Sequence, residues 1–194
     1  YKENLIYRDY YLVNRCPKCR TVLSDIEIEH KELQSKLYYI KYPVKDSDDT
    51  ITVATTRPET MLGDTAVAVH PNDKRFKKYH GKKAVLPLVG REIPVIKDKS
   101  VDREFGTGAV KVTPAHDTAD FEMGKRHGLD QVIVIDGKGE MTEAAGEEFK
   151  GLNRFECREQ VVSQLRKQGF IEKIEDYVHS VGHCYRCKTV IEPY

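Results

Sequence analysis

Apolar residues fall along this chain in short runs, of the length and alternation that strands need, separated by Gly, Pro, Asp and Ser. Residues 26–30, 37–43 and 50–55 read as strands, the last two joined by the turn Asp46-Ser47-Asp48-Asp49. Residues 66–69 resume the pattern after a polar, threonine-rich break at Pro58, and 85–88 with 92–96 form a hairpin around Val89-Gly90. A further strand covers 109–112, and a buried one 131–135 ahead of the tight turn Asp136-Gly137-Lys138-Gly139. The first thirteen residues, with Leu5, Tyr7, Tyr11 and Val13, predict a strand pair or an extended lead-in. Three helices are expected. One is short and charged, 72–80, stopping at Gly81; one runs from Asp117 to His127 and stops at Gly128. The third opens on a capping box, Asn153 with Glu156, buries a stripe of Phe155, Val161, Val162 and Leu165, and closes at Gly169. Many short strands and few helices predict a β-rich α+β fold, a closed β-barrel decorated by peripheral helices.

The densest stretch of chemistry is 105–120, where a glycine turn (Phe105-Gly106-Thr107-Gly108) leads into a strand carrying Lys111 and Thr113, then a stop at Pro114. His116, Asp117 and Asp120 follow. Asp117 falls at the N-cap of the predicted helix and Asp120 one turn on, where unpaired backbone N–H groups favour negative charge.

Five cysteines change the picture at the ends of the chain. Cys16 with Cys19, and Cys184 with Cys187, are two C-x-x-C knuckles, and together they offer four thiolates for a structural, tetrahedral zinc. One metal would tie the two ends together. Closing so long a loop costs roughly 4–5 kcal/mol of chain entropy, whereas structural zinc supplies about 10–16 kcal/mol. The predicted organisation is a zinc-knuckle and linker module from residues 1–36 and 175–194, around a barrel-like body at 37–174. Adjacent ends are what a domain inserted into another protein's loop requires. Cys157, alone on a predicted helix, reads as a small buried apolar residue.

Composition narrows the partners. A net charge of +1 lacks the basic footprint of a bulk nucleic-acid binder, so any nucleic-acid contact is local. The basic cluster Lys74, Arg75, Lys77, Lys78, Lys82 and Lys83 reads first as a solvated face. No apolar run approaches the roughly 20 residues that span a bilayer, and no leader is apparent, so a cytoplasmic protein without membrane contact is expected.

Several chemistries are excluded by pattern. Gly106-Thr107-Gly108 fails as a dinucleotide fingerprint because Lys111 stands where the third glycine belongs. Gly124-Lys125 fails as a P-loop because Arg126 follows and Ala119 replaces the first glycine. No serine elbow supports covalent catalysis. The remaining set suits hydrolysis of an activated aminoacyl ester by a positioned water. Asp120 or Asp117 can take the ammonium; Lys111, Thr113 or backbone N–H groups can take the carbonyl; Arg57 suits the nucleotide, and His116 is a candidate base.

The run from Ala54 through Thr55-Thr56-Arg57-Pro58-Glu59-Thr60 to Pro71, together with 105–120 and 179–187, closely resembles the editing (CP1) domain of valyl-tRNA synthetases, the large insertion in class I enzymes for valine, isoleucine and leucine. The isoleucine type places a tryptophan in the threonine-rich segment, and this chain has none; the leucine type shares Thr-Thr-Arg-Pro but diverges after it. Thr118-Ala119 departs from the family pattern of a proline and a polar residue. The resemblance implies a barrel-like domain that hydrolyses threonyl-tRNA(Val) and threonyl-adenylate, needs no nucleotide cofactor, works with the tRNA 3′ end and the rest of the synthetase chain, and activates no amino acid itself. It implies that Asp120 holds the α-ammonium, Asp117 with Thr113 reads the threonine hydroxyl, and Lys111 and Arg57 orient the carbonyl and terminal adenosine. Phe105 would wall the pocket, with Thr55, Thr56, Thr60, His116 and the turn Gly106, Thr107, Gly108 lining it. Alternatives are an isoleucyl- or leucyl-type editing domain, and a zinc-ribbon module that binds RNA or protein without catalysis.

Overall fold

The structure, a computed structural model, describes residues 1–3, 5, 6, 8 and 10–194. In chain order the strands are β1 (Asn14–Cys16), β2 (Thr21–Leu23), β3 (Ile28–Pro43), β4 (Thr50–Thr55), β5 (Ala66–Val69), β6 (Lys83–Val85), β7 (Glu92–Lys97) and β8 (Ala109–Val112). Two helices follow, α1 (Thr118–His127) and α2 (Arg154–Lys167), then β9 (Ile171–Cys184) and β10 (Glu192–Pro193). They make three sheets, ordered β10-β1-β2, β4-β3-β9 and β6-β7-β5-β8.

The two larger sheets pack around one core in which Ile40, Tyr42 and Val53 meet Val67, Val69 and Ile93, closed on another side by Val161 and Leu165 of α2. β5 reads Ala-Val-Ala-Val and is buried throughout, as befits a strand covered on both faces. It pairs parallel with β7 and antiparallel with β8.

The fold is β-rich α+β with few helices, as the sequence predicts, but it is not a closed barrel. Closure demands a continuous hydrogen-bond register around the wall. Here β4 and β8 lie side by side without a ladder, and among the described residues only the isolated bridge Val44↔Ala84 links the two larger sheets. Residues 131–135, expected as a strand, are irregular apart from one bridge, Ile135↔Met141, so they add no stave.

Two expected strands, 26–30 and 37–43, are one. β3 runs unbroken, paired with β9 from Ile28↔Cys184 onward, with a register shift at Tyr39/Ile40. Its first half is largely exposed on both faces, so apolar alternation is missing there and backbone pairing alone sustains it. β9, equally polar, was not anticipated. The first thirteen residues contain no strand among those described, and Tyr7 lies outside them. The short charged helix expected at 72–80 is a 3₁₀ helix, Lys74–Tyr79, capped by Asp73. α2 is capped by Asn153, but Phe155 is 43% exposed beside Arg154 and Arg158, not in the core stripe. Cys157 is buried, and burial pushes its thiol up to about 12.

Candidate active site

β8 delivers Lys111 to the base of a pocket of about 390 Å³, and Thr113, just past the end of the strand, lies beneath it. The Lys111 Nζ donates to Thr60 Oγ1 at 2.9 Å, Thr113 Oγ1 at 2.6 Å and Asp64 Oδ1 at 3.2 Å. Thr113 Oγ1 in turn donates to Asp64 Oδ1 at 2.6 Å, and the Tyr42 hydroxyl donates to Asp64 Oδ2 at 2.7 Å. Asp64 has no exposed surface; burial raises its carboxyl above the ordinary range, while Lys111 and the two hydroxyls pull the other way. All three protons of the ammonium are committed. A substrate oxygen would therefore reach Lys111 only by displacing a threonine hydroxyl, and its standing effect on the pocket is a fixed positive charge.

Above this base sits the start of α1. Asp117, exposed, accepts from the backbone N–H groups of Ala119 (2.8 Å) and Asp120 (3.0 Å), the cap that the sequence predicts. Asp120, 7% exposed, accepts from the Thr113 N–H at 2.8 Å and lines the same pocket. Burial, with Asp117 adding to it, pushes the Asp120 carboxyl up to about 7. Such a group is poised to ionise fully when a cation is brought to it.

This has a pH signature. If ionised Asp120 is the form that binds, the pocket's affinity for a permanent cation should rise with pH through about 7 and level off above it, whereas insensitivity from pH 6 to 8 would remove Asp120 from cation binding. The linkage to stability has the opposite sense to that of a paired carboxylate: this proton binds more tightly in the folded chain than at the unfolded value of about 3.9, so the group costs stability progressively as pH rises from there to about 7.

β4 and the 3₁₀ turn Pro58–Gly63 supply the opposite wall. Thr55, Thr56, Arg57 and Thr60 line it; the Thr55 hydroxyl accepts from the Arg57 N–H at 3.0 Å. The Arg57 guanidinium is held by Glu192 Oε2 at 2.5 Å, Glu59 Oε1 at 3.2 Å and the His116 carbonyl at 3.4 Å. Phe105, 44% exposed, stands at the rim edge-on to Tyr177, which stacks on His179. A larger cavity of about 610 Å³ adjoins, sharing Thr56, Arg57, Asp117 and His179.

The roles expected of His116, Thr113, Thr107, Gly106 and Gly108 change on this geometry, although His116 does line the pocket. His116 is 2% exposed and its Nε2 accepts from the N–H groups of Val134 (2.9 Å) and Ile135 (3.2 Å). Burial, helped by the Arg57 charge, pulls its pKa down to about 3, so it is a neutral brace for the irregular segment and not a base. Thr113 is saturated by Lys111 and Asp64 and is 1% exposed, so it braces Lys111 and does not face the pocket. Thr107 donates to the Thr52 carbonyl at 2.6 Å, pinning the glycine turn to β4. Gly106, at φ 58°, approaches Ala54 so closely that a Cβ would sit 2.7 Å from the alanine methyl; Gly108 also has positive φ. The turn shapes the rim without lining it.

Several residues here were missed. Asp64 and Glu59 are within the threonine-rich run, between Gly63 and Thr65 and between Pro58 and Thr60, and nothing in those neighbours marks either acid as buried. Glu59 is fully buried and takes a bidentate pair from Arg158, at 2.8 Å to each oxygen. Tyr177 and His179 come from the unanticipated β9.

The knuckles converge as spaced. The Sγ atoms of Cys16, Cys19, Cys184 and Cys187 all lie within 4.8 Å of one another, and those of Cys16 and Cys187 are 3.4 Å apart. A tetrahedron with Zn–S of about 2.3 Å has edges of about 3.8 Å, so the four sulfurs fit a single such ion with no position left for water. Arg20 and Lys188, each just after its pair, take positive φ of 60° and 59° in the two turns.

The family model described as "Leucyl-tRNA synthetase, editing domain" matches residues 77–178, and the chain belongs to this family of synthetase editing domains. Its full length is 64% identical to part of a valine–tRNA ligase from Thermotoga maritima and 60% identical to part of one from Carboxydothermus hydrogenoformans. The chain covers 22% of each of these relatives. Among solved structures, one of a ternary complex of Agrobacterium radiobacter LeuRS with tRNA and LeuAMS matches 87% of this chain and 24% of its own, at a TM-score of 0.57 and 20% identity. Another, GlLeuRS-CP1, matches over 72% of this chain and 98% of its own, with a TM-score of 0.54 and 13% identity. These two share the fold. No helix among the described residues is long and apolar enough to cross a membrane.

Proposed function

We propose that this chain is the editing domain of a valine–tRNA ligase and hydrolyses threonyl-tRNA(Val), with threonyl-adenylate as a second substrate of the same site. The observation that carries this reading is a buried acid, Asp120, beside an exposed one, Asp117, over the fixed charge of Lys111 in a pocket walled by Thr56 and Arg57. Threonine and valine are isosteres, so an apolar synthetic pocket rejects the extra hydroxyl only weakly; the ~10²-fold limit is the one known for valine enzymes themselves. A second site has to demand that hydroxyl.

In this account Asp120 holds the α-ammonium and Asp117 reads the hydroxyl. Arg57 holds the terminal adenosine, with Phe105 at the rim. Water adds to the ester carbonyl, the bond to the ribose oxygen breaks, and threonine leaves as its carboxylate. Lys111 offsets the charge that develops on the carbonyl oxygen. His116 is committed elsewhere, so the vicinal ribose hydroxyl of the substrate relays the proton. Residues 37–174 form the hydrolytic body, and 1–36 with 175–194 form the knuckle module that joins it to the rest of the synthetase, β3 and β9 passing from one to the other.

Incubation with threonyl-tRNA(Val) and valyl-tRNA(Val) tests this: threonine should be released and valine retained. Release of valine from charged tRNA(Ile) instead would assign the isoleucine type, and inert binding of both tRNAs would make the chain a binding module.

The four thiolates suit zinc as a structural ion. Metal analysis should find one zinc per chain, and chelation should lower the thermal midpoint. A purified chain equally stable with and without metal would rule out that role.

A further inference from the structure

Arg57 reaches into the pocket but is anchored from outside it. Glu192 belongs to β10, whose partner β1 ends in Cys16, and its backbone lies opposite Arg15. It follows the Cys184–Cys187 turn closely, so both knuckles hold the strand that carries it. Its carboxylate, 3% exposed, lies 2.5 Å from Arg57 Nη2 and 2.7 Å from Arg154 Nε. The other carboxylate on Arg57, Glu59, is farther away at 3.2 Å and is already engaged by Arg158. A short charge-assisted bond like that between Arg57 and Glu192 sets the position of a guanidinium as well as its energy. The knuckle sheet thus contributes the tightest of the contacts that fix a pocket residue.

We propose that Glu192 is a positioning residue for Arg57, and that a metal in the four-cysteine knuckle keeps the substrate-facing guanidinium in place through it. The catalytic consequence rests on the reading of Arg57 given under the proposed function. With the knuckle loosened, Glu192 withdraws with β10 and Arg57 falls back on Glu59 and the His116 carbonyl.

The test joins a physical readout to a kinetic one. In the 194-residue chain loaded with diamagnetic cadmium, the Arg57 guanidinium N–H resonances, assigned by their loss in Arg57→Lys, should move toward the free-arginine position in Glu192→Gln while the cadmium–thiolate absorption is unchanged. On adding cadmium back to stripped chain, those resonances should track the absorption while the methyl signals of Val67 and Val69 hold still. In the ligase that carries the domain, Glu192→Gln should raise KM for threonyl-tRNA(Val) roughly tenfold with kcat within about twofold, and should add nothing to Arg57→Ala. Arginine signals that stay put, that move only together with the core methyls, or losses that multiply in the double variant would overturn the proposal. If the unaltered enzyme cleaves no threonyl-tRNA, the proposed function fails, and the resonances still decide whether Glu192 holds Arg57.

Discussion

Asp64→Ala is expected to destabilise the chain by about 3–5 kcal/mol, lowering the thermal midpoint by roughly 6–20 °C, because it leaves a buried ammonium without its counter-charge. Lys111 is 7% exposed and Asp64 not at all, and the carboxylate also receives the Tyr42 and Thr113 hydroxyls. Removing it orphans three donors at once. The double variant Asp64→Ala with Lys111→Met should recover part of the loss, because a matched removal leaves no unpaired charge. Urea unfolding of the three variants measures this. A single-variant loss below about 1 kcal/mol, within the range of an exposed pair, would mean that the cluster is not the closed unit described.

Asp120→Asn is expected to lower kcat/KM for threonyl-tRNA(Val) roughly 30- to 1,000-fold, the equivalent of about 2–4 kcal/mol of lost ion pairing in a buried site. The fold should tolerate this change well. The acid is held near neutrality by burial, so exchanging it for an amide of the same shape removes a strained charge, and the side chain can still accept from the Thr113 N–H. The variant should therefore be at least as stable as the original at pH 8 while being far slower. Single-turnover deacylation and thermal unfolding, measured on the same samples, separate the two effects. Equal losses of activity and stability would instead mark Asp120 as a structural residue.

The sequence revealed the site better than the architecture around it. Asp117 as N-cap and the convergence of the cysteine pairs followed from local rules about helix starts and ligand spacing, and those rules hold without knowledge of neighbours. The β3–β9 ribbon did not, because a strand exposed on both faces leaves no apolar period; only its partner, far along the chain, gives it away. The barrel was inferred from strand count, but count does not settle closure, and the segment 131–135 turned out to be braced by His116 instead of by a ladder. His116 itself shows the limit of residue chemistry. A histidine between an alanine and an aspartate looks like a base until its ring nitrogen is found accepting two backbone N–H groups. Asp64 was passed over for the converse reason, since nothing local marks an aspartate that will sit beneath a lysine brought in by another strand.

The central claim is that Asp120 grips the α-ammonium of a threonyl ester. Its most direct test is the cleavage rate of threonyl-tRNA(Val) beside that of the N-acetylated ester, which carries no ammonium, by the unaltered ligase and by its Asp120→Asn variant. Acetylation should slow the unaltered enzyme by about as much as the substitution does, roughly 30- to 1,000-fold, and should slow the variant little further. An acetylated ester cleaved as fast as the free one, or a full second loss in the variant, would contradict it.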